Sequence, residues 1–184
     1  MTTLPPPIGG GIFTIAVAGT DAVRHNKRMR DVVAVLHHIR SIHNVGSIFR
    51  TADGAGIRKL YLCGITPTPL DRFGKLREDF KKVALGAEQG VSWERAATTG
   101  RIIQKLKSEG YEIVAVEQSA RSVEFGAYRP KTKKIALIIG NEVRGLASAI
   151  LKKSDSVIEI PMRGKKESLN VSVAFGIIAY QLTQ

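Results

Sequence analysis

The sequence predicts an α/β domain: a mostly parallel sheet flanked by helices. Two observations carry that expectation. Short, continuous apolar runs recur along the chain, as expected of strands buried on both faces. Between them lie segments whose apolar residues repeat at helical spacing, and strands separated by helices build parallel sheets.

The elements follow in order. A first strand is expected over residues 32–36. Val45, Ile48, Phe49, Ala52 and Ala55 then fall at i, i+3, i+4, i+7 and i+10, one face of a helix. Asn44 is a candidate cap for it, and Gly54 and Gly56 suit its end. Residues 60–63 form the next apolar run. From 65 to 100 the pattern is less regular: Thr66-Pro67-Thr68-Pro69 reads as a loop and 71–82 is densely charged. Ile102, Ile103 and Leu106 mark a helix closed by Gly110. Strands are expected over 113–116, 135–139 and 157–160, with a Gly-rich turn and a short helix over 146–151 between the last two. Residues 169–182 read as a closing helix carrying Val173, Ala174, Ile177, Ile178 and Leu182 on one side. The expected division is a flexible basic leader over 1–30 and one domain over 31–184, without internal repeats.

Of the 184 residues, 28 are Lys or Arg and 16 are Asp or Glu, a net charge of +12. An excess of this size points to a polyanionic partner, because a basic surface gains affinity by releasing counterions from a phosphate backbone. Charge that serves only solubility is the alternative. The leader opens with Pro5, Pro6 and Pro7 and then Gly9, Gly10 and Gly11, which cannot hold a helix. Its basic cluster, Arg24, His25, Lys27, Arg28 and Arg30, reads either as a solvated linker or as an arm contacting RNA. A single cysteine, Cys63, excludes an intrachain disulfide and a Cys-rich zinc site. His37, His38 and His43 lack carboxylate or cysteine partners at ligand spacing, so no metal site is expected. The apolar stretch 12–18 is far short of the roughly 20 residues that span a bilayer. It also has no basic segment before it, so a soluble, cytoplasmic protein is expected.

Three segments at the expected carboxyl ends of strands, where ligands of parallel sheets bind, are rich in Gly, Asn, Ser and Arg. They are His43-Asn44-Val45-Gly46-Ser47-Ile48-Phe49-Arg50-Thr51-Ala52, Ile138-Ile139-Gly140-Asn141-Glu142-Val143-Arg144-Gly145-Leu146, and Ile158-Glu159-Ile160-Pro161-Met162-Arg163-Gly164 continuing through Ser168-Leu169-Asn170-Val171-Ser172-Val173-Ala174. The second is neither a P-loop nor a dinucleotide fingerprint. In the third, Ser168 and Asn170 sit at a helix start, where both could simply cap it. Beside the Ile160-Pro161-Met162 wall they also suit a ligand that is part purine, part apolar chain.

In this order and at these spacings, the three segments resemble the signature motifs of the SpoU family of RNA 2′-O-ribose methyltransferases, within the SPOUT superfamily. The resemblance spans about residues 31–182 and includes Ala84-Leu85-Gly86-Ala87-Glu88. It implies a C-terminal part threaded as a deep trefoil knot, a homodimer with its active site near the interface, and S-adenosylmethionine as cofactor. Matching positions imply cofactor contacts at Gly140, Ile160, Met162 and Leu169. They imply a catalytic set of Arg50, Asn44, Glu142, Ser168 and Asn170. Arg50 is then either a general base or an electrostatic group. Glu142 could also pair with Arg144 or cap a helix. Arg144, Arg163, Lys165 and Lys166 flank the pocket and suit RNA phosphates or solvent alike. The implied substrate is structured RNA, tRNA ahead of rRNA. Methylation of a base nitrogen, and an RNA-binding protein of this fold without turnover, are the alternative readings.

Overall fold

The computed structural model describes residues 30–184. Residues 1–29 of the expected leader, with Arg24, His25, Lys27 and Arg28, lie outside the described residues. The elements are β1 (Asp31–His37), α1 (Ile42–Ala55), β2 (Lys59–Cys63), α2 (Glu78–Ala84), α3 (Ala87–Gly90), β3 (Ser92–Ala96), α4 (Thr99–Ser108), β4 (Glu112–Val116), β5 (Val123–Glu124), β6 (Lys134–Ile139), α5 (Ser148–Leu151), β7 (Ser156–Glu159) and α6 (Val171–Leu182). Seven strands form one sheet in the order β3-β2-β1-β6-β4-β7-β5. Every pairing is parallel.

Alternation along the strands divides the core in two. On one face Val32, Ala34, Leu36, Leu60 and Leu137 pack beneath Val45, Phe49 and Ala52 of α1, Phe80 of α2, and Phe175 and Ile178 of α6. The Phe49 and Phe80 rings meet edge to face at 5.1 Å. On the other face Val33, Val35, Cys63, Ala115 and Ile138 meet Ile102, Ile103 and Leu106 of α4 and Ile150 of α5. Both faces are covered, which is why these strands read as unbroken apolar runs. No helix of the described residues is long and apolar enough to cross a membrane.

Several boundaries differ from expectation. Ser41, not Asn44, caps α1, its Oγ accepting from the Asn44 N–H at 3.3 Å. Gly56 ends that helix in the left-handed region at φ 71°. The helix expected over 146–151 shrinks to α5, because residues 141–147 are taken up by turns. Asn170 caps α6, so the helix begins two residues later than expected, and Ser168 lies outside it. The irregular stretch 65–100 holds α2, α3 and β3. The last is an edge strand whose buried Glu94 pairs with Lys59 at 2.7 Å.

The strand order places a switch point between β1 and β6. From β1 the chain winds outward through β2 and β3; β4, β5, β6 and β7 fill the other side. Crevices open beyond the carboxyl ends of strands at such points. His37 Nδ1 and the Thr99 hydroxyl are 2.7 Å apart near that end.

Cys63 is fully buried at the end of β2. Burial raises its thiol pKa to about 11, assisted by the Glu94 charge and opposed by a hydrogen bond involving Thr99. A thiol protonated at neutral pH is a poor nucleophile. A disulfide reagent at pH 7.5 is therefore expected to leave Cys63 unmodified in the folded protein and to titrate one thiol in denaturant.

Candidate active site

Next to this switch point, on the side of β6 that faces β4 and β7, lies a cleft of about 270 Å³. Its walls come from the ends of β4 and β6 and from the connection leaving β7. Gly140, Ile160, Met162, Ser168 and Leu169 all line it, as does Glu142. Val116, Ile139 and Ala174 add apolar surface, while Glu117 and Gln118 supply polar groups.

The turn after β6 is closely built. A Cβ on Gly140 would stand 2.7 Å from the Gly145 carbonyl carbon, so no side chain fits there. Gly145 takes φ 60°, and a Cβ on it would collide with the Glu117 carboxylate. That carboxylate accepts from the Leu146 N–H at 2.6 Å. Asn141 closes the turn. Its Oδ1 accepts from the N–H groups of Val143 and Arg144 at 2.9 Å each, and its Nδ2 donates to the His38 carbonyl at 2.8 Å.

Glu142 reaches from this turn to the start of α1. Its carboxylate accepts from the Arg40 N–H at 3.1 Å, the Ser41 N–H at 3.2 Å and Asn44 Nδ2 at 3.0 Å. It therefore caps α1 rather than α5, and it makes no pair with Arg144. Negative charge at a helix N-terminus is favourable. Asn44 Oδ1 in turn accepts from Asn170 Nδ2 at 3.1 Å, and Asn170 Oδ1 accepts from the Ser172 N–H at 2.9 Å. Residues from all three sequence motifs are thus joined in one hydrogen-bonded line, Glu142–Asn44–Asn170, with Ser168 and Leu169 beside it in the cleft wall.

Arg50 stands apart from this line. It is exposed on the outward face of α1, makes no hydrogen bond or ion pair among the described residues, and does not line the cleft of its own chain. One turn further along, Gly54 lies against the Tyr180 hydroxyl of α6, 2.9 Å from where a Cβ would sit. The basic residues divide as well. Arg30 is tied down, donating to the carbonyls of Leu182 at 3.3 Å and Gln184 at 2.7 Å at the end of α6. Arg163 lies 3.7 Å from Glu124, while Arg144, Lys165 and Lys166 are exposed. Sequence reasoning passed over Glu117, Gln118 and Asn141. Their signal was position: Glu117 is the first charged residue after an apolar strand, at the end where ligands bind.

Partial burial disfavours the charge on Glu142. The hydrogen bonds from Asn44, from its own N–H and from the Arg40 and Ser41 N–H groups outweigh it, holding the carboxyl below the usual range. A depressed folded-state pKa gives stability that is present above the ordinary glutamate value of about 4.3 and lost as pH falls through the folded value. In thermal melts, Glu142→Gln is expected to lower Tm at pH 7, and its gap to the native protein should close as pH drops below about 4.

The chain matches the model of the SpoU rRNA Methylase family over residues 31–180. It is 33% identical over 155 residues to a tRNA (guanosine(18)-2′-O)-methyltransferase of Aquifex aeolicus, covering 84% of this chain and 70% of that one. It is 34% identical over 148 residues to the 23S rRNA (guanosine-2′-O-)-methyltransferase RlmB of Escherichia coli, covering 80% of this chain and 57% of that one. An AdoMet-bound rRNA methyltransferase from Sinorhizobium meliloti superposes with a TM-score of 0.75 at 28% identity, covering 83% of this chain and 55% of that one. With its three motifs joined beside one switch point and a family match over residues 31–180, the chain belongs to the SpoU rRNA methylase family.

Proposed function

We propose that the chain is an RNA methyltransferase that uses S-adenosylmethionine to methylate a ribose 2′-hydroxyl. The observation that carries this reading is the Glu142–Asn44–Asn170 line set against a cleft of mixed apolar and polar lining. The cleft fits the cofactor's chemistry. Ile139, Ile160, Met162 and Leu169 suit its apolar portions, Glu117 and Gln118 its hydroxyls, and bare Gly140 leaves room at the turn. When bound, S-adenosylmethionine supplies a sulfonium methyl that is already strongly electrophilic.

What remains for the protein is alignment and charge. Holding two reactants in line supplies roughly 7–11 kcal/mol of the barrier. Asn44 and Asn170 have both ends of their amides engaged, so they present fixed dipoles beside the cleft. Ser168 is exposed next to them and free to orient a substrate hydroxyl. For Arg50, an electrostatic role is favoured over a general base. A guanidinium stays protonated in proteins, and stripping its proton near neutral pH is costly. Gripping the neighbouring phosphate and stabilising developing alkoxide charge needs no such loss.

We propose a homodimer as well, and the same surfaces support it. Val173, Ile177 and Tyr180 leave an apolar strip of α6 exposed, 50%, 37% and 50% respectively. Tyr180 meets α1 one turn from Arg50, so pairing through this strip puts Arg50 at the interface. A trefoil knot in the C-terminal part is also proposed. Supporting it, the chain leaves β7 beyond β4 and returns past the 140–146 turn to pack α6 on α1. The whole domain over 31–184 acts as one catalytic unit in the cytoplasm. Among RNAs, tRNA is the first to test, because the Aquifex aeolicus relative covering most of both chains is named for tRNA.

Purified protein with tritiated S-adenosylmethionine and bulk tRNA is expected to yield labelled 2′-O-methylnucleosides after nuclease digestion. Label in base-methylated nucleosides, or no cofactor binding by calorimetry, would reject the reading. Arg50→Ala should lower turnover about 100- to 1000-fold, the scale of losing one oxyanion-stabilising donor, with cofactor binding retained. Ile177→Glu should convert a dimer to monomer in sedimentation velocity.

A further inference from the structure

The segment following β2 holds a feature that the cleft does not use. Residues 70–76 form a tight, well-tied turn. Leu70 and Leu76 pair across its neck and pack against the core on the α1 face of the sheet. Asp71 Oδ1 accepts from the N–H groups of Phe73 at 2.8 Å and Lys75 at 2.9 Å, and the Asp71 N–H donates to the Lys75 carbonyl at 2.8 Å. The base of the segment is pinned too. Buried Thr66 shares its one hydroxyl proton between the Cys63 carbonyl at 2.8 Å and the Leu36 carbonyl at 3.0 Å, and its Oγ1 accepts from the Ile39 N–H.

At the tip of this rigid mount stands Phe73, 78% exposed. The two leucines at the neck turn inward, while the largest apolar side chain of the turn faces solvent. The Arg72 guanidinium covers one side of its ring, 4.7 Å from the centroid. Lys75 and Arg77 are exposed nearby. Asp71, the turn's one acidic group, spends its carboxylate on backbone N–H groups, so residues 71–77 carry a net charge of +2. Because β2 runs parallel to β1 and β6, the turn rises from the same edge of the sheet as the cleft. With β2 two strands from β6, the root of its segment stands about 10 Å from the β6 wall of the cleft.

We propose that Phe73 is a stacking platform for an unpaired base of the RNA substrate, with Arg72, Lys75 and Arg77 holding the flanking phosphates. This deepens the methyltransferase reading and rests on it. Sequence-tolerant base recognition combines an aromatic face with neighbouring cations. A ring already mounted rigidly forfeits little freedom when a base settles on it. Across the edge from the reacting ribose, the platform would hold a nucleotide near the target in a splayed conformation.

The test measures binding of native protein, Phe73→Ala and Phe73→Tyr to bulk tRNA and to protein-free ribosomal RNA across a salt series. Cofactor calorimetry and circular dichroism serve as controls. Phe73→Ala is expected to weaken binding of the preferred RNA on the order of tenfold to a hundredfold without changing the salt slope. Phe73→Tyr should bind as native, and Lys75→Ala should reduce the slope by about one. Binding by Phe73→Ala within twofold of native, or a Phe73→Tyr as defective as Phe73→Ala, would overturn the stacking role while leaving the methyltransferase reading intact. A native protein that binds neither RNA would overturn both. Loss of self-association on Phe73→Ala, with RNA affinity unchanged, would reassign the ring to a contact between copies.

Discussion

At the switch point between β1 and β6 two neighbouring strands send their chains in opposite directions, and something must hold the diverging loops together. Glu142 does so with one carboxylate. It satisfies the N–H groups of Arg40 and of the cap residue Ser41, which come just before the first turn of α1 and have no partner within it. It also receives the Asn44 amide. The line that follows has a direction: Asn44 donates to Glu142 and accepts from Asn170, which keeps its own oxygen for the α6 N-terminus. Every amide is oriented by its neighbour. An aspartate at position 44 would set two carboxylates about 3 Å apart, and the line would break at its centre.

The cleft depends on a second constraint, close backbone approach. Gly140 and Gly145 press together with no space for a Cβ, and the Glu117 carboxylate occupies the volume that a side chain on Gly145 would need. The acid holds the turn by its Leu146 N–H, while the turn presents Asn141 and Glu142 to the β1–α1 connection. A cleft wall made this way is a rigid backbone surface, preorganised by contacts that a side-chain wall would have to make on binding.

The parallel sheet was legible because both its faces are covered, which turns each central strand into an unbroken apolar run. β3 was not, because Glu94 and Arg95 interrupt it; Glu94 is buried only by pairing with Lys59 across to β2, a partner far off in sequence. β5 is two residues long and has no pattern to read. Asn44 looked like a helix cap because its residue type and position both fit. Ser41 takes that place, and the asparagine is spent on Glu142 and Asn170. Among the motif residues, sequence alone grouped Glu142, Asn44 and Asn170 but could not say what each one touches. Glu142 contacts a helix start about a hundred positions earlier. Arg30 had the look of a free cation in a basic arm, yet it is clamped by the carbonyls at the end of α6, which periodicity does not reveal.

Among the described residues the last helix, α6, packs on the first, α1, and its cap residue completes the line that begins at Glu142. A nascent chain on the ribosome therefore holds all seven strands of the sheet before it can complete this line. Until residues 170–182 emerge, Asn44 lacks one partner and the α1 face over Thr51 and Gly54 is bare. A chain synthesised only as far as β7 would thus expose the apolar α1 face and lack the Asn170 end of the line, so the site forms only once α6 has docked.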